Sequence, residues 1–177
     1  MGDPKRPRRK YETPKYPWSK SRLDSELRLV GEYGLRNKHE LRIHHATLSK
    51  YRGLARELLA MPTQERLKIE KELLSKLQSY SFVPEGANID NILDLTIGRI
   101  LDRRLQSIVF RRGLAKTPQQ ARQLITHGHI AVKGRKVTSP GFLVKQVEEQ
   151  EIRYSIGSAF SKEGHGIGET PAKEAAA

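Results

Sequence analysis

The 177 residues contain no cysteine. That absence excludes a disulfide framework, a thiolate zinc site and a cysteine nucleophile together, and it fits a reducing interior. Long apolar runs are missing too: none approaches the ~20 residues needed to span a bilayer, so no membrane partner is expected. The opening MGDPKRPRRK has no hydrophobic stretch of a secretory signal, and Arg6 stands where a myristoylation signal wants serine or threonine. A soluble, intracellular protein is the expectation. Aromatics are few, and negative charge is in the minority: 33 Lys and Arg face 20 Asp and Glu, a net charge of +13. A surplus of that size points to a polyanionic partner, which gains by releasing its counterions onto such a surface. Phosphate backbones come first and anionic lipid second.

What is present divides along the chain. Residues 1–18 mix Lys5, Arg6, Arg8, Arg9 and Lys10 with Pro4, Pro7, Pro14 and Pro17. Proline removes helix donors and little apolar surface is on offer, so a basic arm, disordered when alone, is expected to bind nucleic acid. Residues 19–102 read mainly as helix. Ser19 or Ser21 caps a first helix closed by Gly34; a second runs from about Lys38 to Ala60; Thr63 caps a third with Leu67, Leu74 and Leu77 at helical spacing. Ser81 to Asn88 reads as a linker. Ile97, Leu101, Leu105 and Ile108 then predict one long helix over Ile92 to Arg112, with Arg104 and Arg111 along one flank.

The stretch KTPQQARQLITHGHIAVKGRKV carries the most chemistry. Thr117-Pro118-Gln119-Gln120 is a capping box with proline at the first helical position. Ala121, Leu124 and Ile125 form one inward face and Gly128 supplies the left-handed stop. Residues His129 to Val132 alternate into a strand, Lys133-Gly134 turns it, and Val137 lies on the return. Ile152, Tyr154 and Ile156 alternate as a further strand, and the polar tail over 161–177 reads as disordered. An α+β fold follows: a helical region, then a small helix–helix–hairpin unit. The outward residues of that unit are cations and amides. Lys116, Gln119, Arg122 and Gln123 surround a helix N-terminus suited to phosphate, with Arg104 and Arg111 extending the face. Lys133, Arg135 and Lys136 crowd the hairpin tip.

These residues resemble a known family. The run RRLQSIVFRRGLAKTPQQARQLITHGHIAVKGRKVTSPGF is similar to the S-four-type RNA-binding domain, through Arg104-Leu105, Arg111, Gly113-Leu114-Ala115, Thr117, Ala121 to Ile125, His127 to Ile130, Val132-Lys133-Gly134 and Val137. Many members have Arg-Leu-Asp where this chain has Arg104-Leu105-Gln106. The Gln version, with YPWSKSRLDSE and GEYGLRNKHEL upstream, resembles the archaeal branch of the small-subunit ribosomal protein four family. The resemblance implies a primary binder of 16S-type ribosomal RNA at a helix junction in the 5′ domain, early in assembly of the cytoplasmic small subunit. It also implies a place beside ribosomal protein five near the messenger RNA entry path, and an influence on decoding accuracy. The RNA-contact residues expected are Arg104, Gln106, Arg111, Lys116, Thr117, Pro118, Gln119, Arg122, Gln123, His127, Lys133, Arg135 and Lys136, with Lys5, Arg6, Arg8, Arg9 and Lys10 from the arm.

Rival readings meet specific obstacles. His127 and His129, like His44-His45, lack the cysteines or nearby carboxylate pair of a metal site, so no metal and no cofactor are expected. S-four-type modules also serve as appendages of pseudouridine synthases and other RNA-modifying enzymes, and Arg22-Leu23-Asp24 is similar to a synthase catalytic segment. It lies inside an amphipathic helix, however, and no nucleotide-binding fingerprint is present. Catalysis is not expected. A ribosome-associated RNA chaperone remains as the alternative, and the long helical N-terminal region argues for a permanent ribosomal component instead.

Overall fold

A computed structural model describes residues 9–161. The described part holds eight α-helices, a small sheet and a 3-10 helix at Ala159–Ser161: α1 (Lys20–Glu32), α2 (Lys38–Ala60), α3 (Thr63–Ser79), α4 (Ile89–Leu93), α5 (Ile97–Asp102), α6 (Leu105–Arg111), α7 (Pro118–Thr126), β1 (Ile130–Val132), β2 (Arg135–Lys136), α8 (Gln146–Glu149) and β3 (Ile152–Tyr154). The fold is α+β. In α2 the cap is Asn37, whose side chain accepts from the amide of Glu40. In α3 the residue in the cap position is Pro62, so Thr63 opens the helix rather than capping it.

The long helix expected over Ile92 to Arg112 is absent. Three short helices replace it, and the second break falls at Arg103 and Arg104, where Arg104 turns extended at ψ 143. Tertiary bonding compensates for the lost helical ladder. Leu105 N–H donates to the Phe142 carbonyl at 2.8 Å and Val144 N–H to the Arg103 carbonyl at 3.0 Å. A continuous apolar stripe does not reveal such a break, because both sides of it keep the same spacing.

Two main aliphatic clusters form. One packs Leu48, Leu58, Leu77, Phe82, Ile92 and Ile100 among the helices of the first part. The other packs Leu105, Ile108, Ala121, Leu124, Ile125, Ile130 and Ile152 under the sheet. The sheet is antiparallel with order β2-β1-β3. Lys133 and Gly134 both take positive φ, 51° and 73°, as a tight two-residue hairpin requires. The strand expected through Ile156 stops at Tyr154, and Ile156 points into solvent. Within β1–β3 the register sets Lys136 and Arg153 on either side of Ala131, so the two cations share one face of the sheet.

Candidate nucleic-acid interface

The cations of the S-four-like unit fall into two groups, internal and external. Arg104 is 1% exposed and Gln106 is 0% exposed, so neither stands on a surface that RNA can reach. Arg104 Nη2 lies 2.8 Å from Glu40 Oε2. Its Nε and Nη1 have no hydrogen-bond partner among the described residues, which leaves Glu40 as its main support. Arg122 grips the same carboxylate with both terminal nitrogens, at 2.7 and 3.2 Å. Glu40 thus bridges two arginines of the C-terminal unit from the first turn of α2. Burial alone opposes ionisation of Glu40, but the hydrogen bond from Arg122 and the charges of Arg104 and Arg122 outweigh it and hold the carboxyl below its ordinary pKa. His44, one turn further along α2, is pushed down to about 4, first by burial and then by the charge of Arg104.

Gln106 is a second tie between the two parts. Its Nε2 donates to the Gly34 carbonyl at 2.8 Å and to the Pro118 carbonyl at 3.0 Å. An ionised aspartate at this position would have no hydrogen to donate and would be too short. Gly34 has φ +60, and a methyl there would lie 2.6 Å from Pro118 Cβ, so only glycine allows the approach. A third tie joins Tyr33, Asp102 and Arg111: the tyrosine hydroxyl donates to Asp102 Oδ1 at 2.9 Å, and Arg111 Nη2 pairs with the same oxygen. Burial, with the Asp102 bond second, raises Tyr33 to about 12.

Two expectations, Arg104 and Gln106, are corrected by this geometry, and two more of the expected residues are engaged within the chain. Arg104 and Gln106 are interior, Arg122 is half-buried and engaged by Glu40, and Pro118 packs against Gly34 while its carbonyl accepts from Gln106. The physical reason is common to all. Helical spacing places these residues on one side of α6 and α7, but it cannot say that another element of the chain covers that side. The expected phosphate cradle at the start of α7 is narrower as well. Thr117 Oγ1 accepts from Gln120 N–H, Pro118 has no N–H, and Gln120 Oε1 reaches past the cap to Lys116 N–H at 2.8 Å. The box is reciprocal but shifted by one residue.

The external group is what remains for a ligand. Lys116, Thr117, Gln119, Gln123 and His127 are exposed along the outer side of α7, and Lys133, Arg135 and Lys136 are exposed on the hairpin. Lys133 is partly engaged, with Nζ 3.3 Å from Glu148 Oε1, and Arg111 is exposed but paired with Asp102. Lys136 runs across the end of α7, because a methyl at Gly128 would meet its Cδ at 2.8 Å; this joins the hairpin cations to the helix. Arg153, exposed on β3 opposite Ala131, belongs to the same surface and was not among the expected residues. The signal for it lay in the alternation itself, as the outward residue between Ile152 and Tyr154. Arg103 and Arg112 are tied internally, Arg103 to Glu149 at 2.6 Å and Arg112 to the carbonyls of Glu149 and Ile152. Of the arm, Arg9 and Lys10 are exposed, whereas Lys5, Arg6 and Arg8 lie outside the described residues. Among the described residues no group of three or more metal-ligating side chains occurs.

The model of the S4 domain matches residues 103–152, which start at the break before α6 and end at the first residue of β3. The chain is 52% identical over 162 residues to the small ribosomal subunit protein uS4 of Ignicoccus hospitalis, covering 92% of this chain and 98% of that protein. The uS4 of Hyperthermus butylicus is 52% identical with 92% of each chain covered. This chain belongs to the uS4 family. The uS4 protein of Saccharolobus solfataricus is also 52% identical, over 90% of this chain and 89% of its own. The likeness to uS4 proteins therefore spans the helical region together with the S4 domain.

Proposed function

We propose that this chain is a structural constituent of the small ribosomal subunit, working in the cytoplasm as a binder of 16S ribosomal RNA. The observation that carries the reading is the sorting of cations. Arg104 and Arg122 share the one carboxylate of Glu40 and Arg103 pairs with Glu149, while Lys116, Arg135, Lys136 and Arg153 stand exposed on one module with no salt-bridge partner among the described residues. Exposed amides at Gln119 and Gln123 add donors and acceptors to that surface. Recognition is of backbone and shape, since lysine and arginine on a small module bind phosphates and read few base edges.

In this reading the chain has four parts: a basic arm over 1–18, a helical region over 19–102, the S4 module over 103–160 and a tail over 161–177. The RNA site is a helix junction of the 5′ domain, ribosomal protein five is a neighbour near the messenger RNA path, and the protein acts on assembly and decoding accuracy. The role is structural rather than catalytic. The test is a filter-binding titration against a 5′-domain junction RNA. Changing Lys116, Arg135 and Lys136 to alanine flattens the log–log salt slope by about 0.7–0.9 for each phosphate no longer neutralised. An unchanged slope and affinity would remove this surface from the interface. Incubation with a uridine-containing substrate RNA separates the enzymatic alternative, because a modified product at more than one turnover per protein requires catalysis.

A further inference from the structure

Trp18 is the one tryptophan of the chain and is 88% exposed; Tyr16, two residues before it, is 68% exposed. Aromatic rings of this size each have about 150–250 Å² to bury, so two left in water within one turn call for an explanation. They do not hang on loose chain. Arg22 of α1 donates from Nη2 to the carbonyls of Tyr16 and Pro17, at 2.6 and 3.1 Å. Its Nε pairs with Glu26 Oε1 at 3.2 Å, and the other oxygen of this buried glutamate lies 3.3 Å from Lys38 Nζ at the start of α2. Pro17 restricts the backbone between the two rings. The turn is clamped to the helical region by its carbonyls, and its rings are left outward.

The surroundings are cationic and polar. Lys15 Nζ lies 5.5 Å from the Tyr16 ring centroid, and Lys10, Ser21 and Lys20 are exposed nearby in the chain. The apolar core of a protein interface is depleted of such residues. A nucleotide matches them: every base offers a π-face to an indole or phenol, and the phosphates on either side need cations. Unstacked bases in loops and bulges are the usual target of such rings in RNA.

We propose that the Tyr16-Pro17-Trp18 turn is a stacking platform for an unpaired nucleobase, with Lys15 and Lys20 meeting its flanking phosphates. The proposal rests on the RNA-binding reading above and adds a second, base-stacking contact far in sequence from the S4 module.

The lone tryptophan is its own reporter. The full chain is titrated with an end-labelled uridine decamer and with a decamer of the same sugar-phosphate backbone lacking bases. Anisotropy of the label gives affinity, and Trp18 emission gives stacking. The expected result is quenching by the base-containing decamer alone, with no blue shift, and about tenfold weaker binding of that decamer by Trp18→Leu. Trp18→Phe keeps most of the affinity, and neither variant alters binding of the abasic decamer. Equal quenching and affinity for the two decamers would overturn the platform while leaving the phosphate surface of Lys116, Arg135 and Lys136 intact. Failure of wild-type protein to bind either decamer, or a 5′-domain junction RNA, would overturn both readings. A blue-shifted emission in the assembled subunit, insensitive to removal of the facing base, would assign the turn to a protein neighbour and overturn the proposal.

Discussion

The single carboxylate of Glu40 engages two arginines of the S4 module. It closes on Arg104, which is buried, and on Arg122, which is half-buried, from a third element. Glu40→Gln leaves Arg104 charged, interior and without its counterion, and removal of one partner of such a pair costs about 3–5 kcal/mol. Urea unfolding should show a loss of that order, in contrast to a surface carboxylate such as Glu57, whose change to Gln stays within about 0.5 kcal/mol. A pH dependence follows from the neighbouring His44. Its folded pKa of about 4 lies below the ordinary 6.5, so the unfolded chain binds the proton first as pH falls. Stability is therefore fully present above about pH 6.5 and declines towards about pH 4, by on the order of 3 kcal/mol from this residue. Glu40, depressed in the folded state, adds a loss of the same sign at lower pH. His44→Gln should flatten the stability curve between pH 6.5 and 4; an unchanged curve would mean that His44 is protonated when folded. None of this is legible in the sequence. Glu40 and His44 sit in a charged helical stretch like many others, and the residue that gives them meaning, Arg104, is 64 positions away from Glu40.

Elements were legible in proportion to how local their causes are. Helix α7 begins and ends where its own residues dictate: Thr117 caps it, Pro118 starts it, and Gly128 stops it at φ 74. Changing Thr117 to Ala should cost about 1 kcal/mol, measured by thermal unfolding, since the cap alone is removed. The hairpin was legible for the same reason, through Lys133-Gly134. The stretch Ile92 to Arg112 was not, because its break at Arg103 and Arg104 is held by bonds to the segment Pro140 to Val144, which arrives later in the chain, and Leu95 at its first break accepts from Arg52 of α2. The joint between α1 and α7 belongs to this second kind. Gly34→Ala places a methyl against Pro118 and strains a positive φ, an expected loss of about 1–3 kcal/mol. Gln106→Glu removes both buried donations and should cost at least as much. If these changes loosen only the joint, proteolysis will release a stable fragment beginning near residue 103; if the two parts fold as one unit, the whole chain will be digested.

At the scale of the whole molecule the charge of +13 sets the behaviour. A surplus spread over the arm and the S4 module predicts RNA binding that weakens steeply with salt, and the internal pairing of Arg104 and Arg122 predicts that these two do not contribute to that slope. The comparison of Lys136→Ala with Arg122→Ala decides it: the first lowers the slope with little effect on melting temperature, and the second lowers the melting temperature first. The fold class, the demand for a polyanionic partner and the S4 module are legible in the sequence, because composition and local motif carry them. The inward engagement of Arg104 and Arg122 is not legible there, because a cation on a helix flank reads the same whether RNA or Glu40 lies opposite.

The three ties at Glu40, Gln106 and Asp102 have a geometric consequence. They fix the span between the turn at Trp18 and the hairpin at Gly134 before any ligand arrives, so the free protein behaves as a caliper set to one opening. On the function and stacking contact proposed above, an RNA that presents an unpaired base and phosphates at that separation meets both jaws, and one that does not meets only one. Loosening the ties should therefore blunt the preference for correctly folded RNA more than it weakens attachment to RNA of any shape.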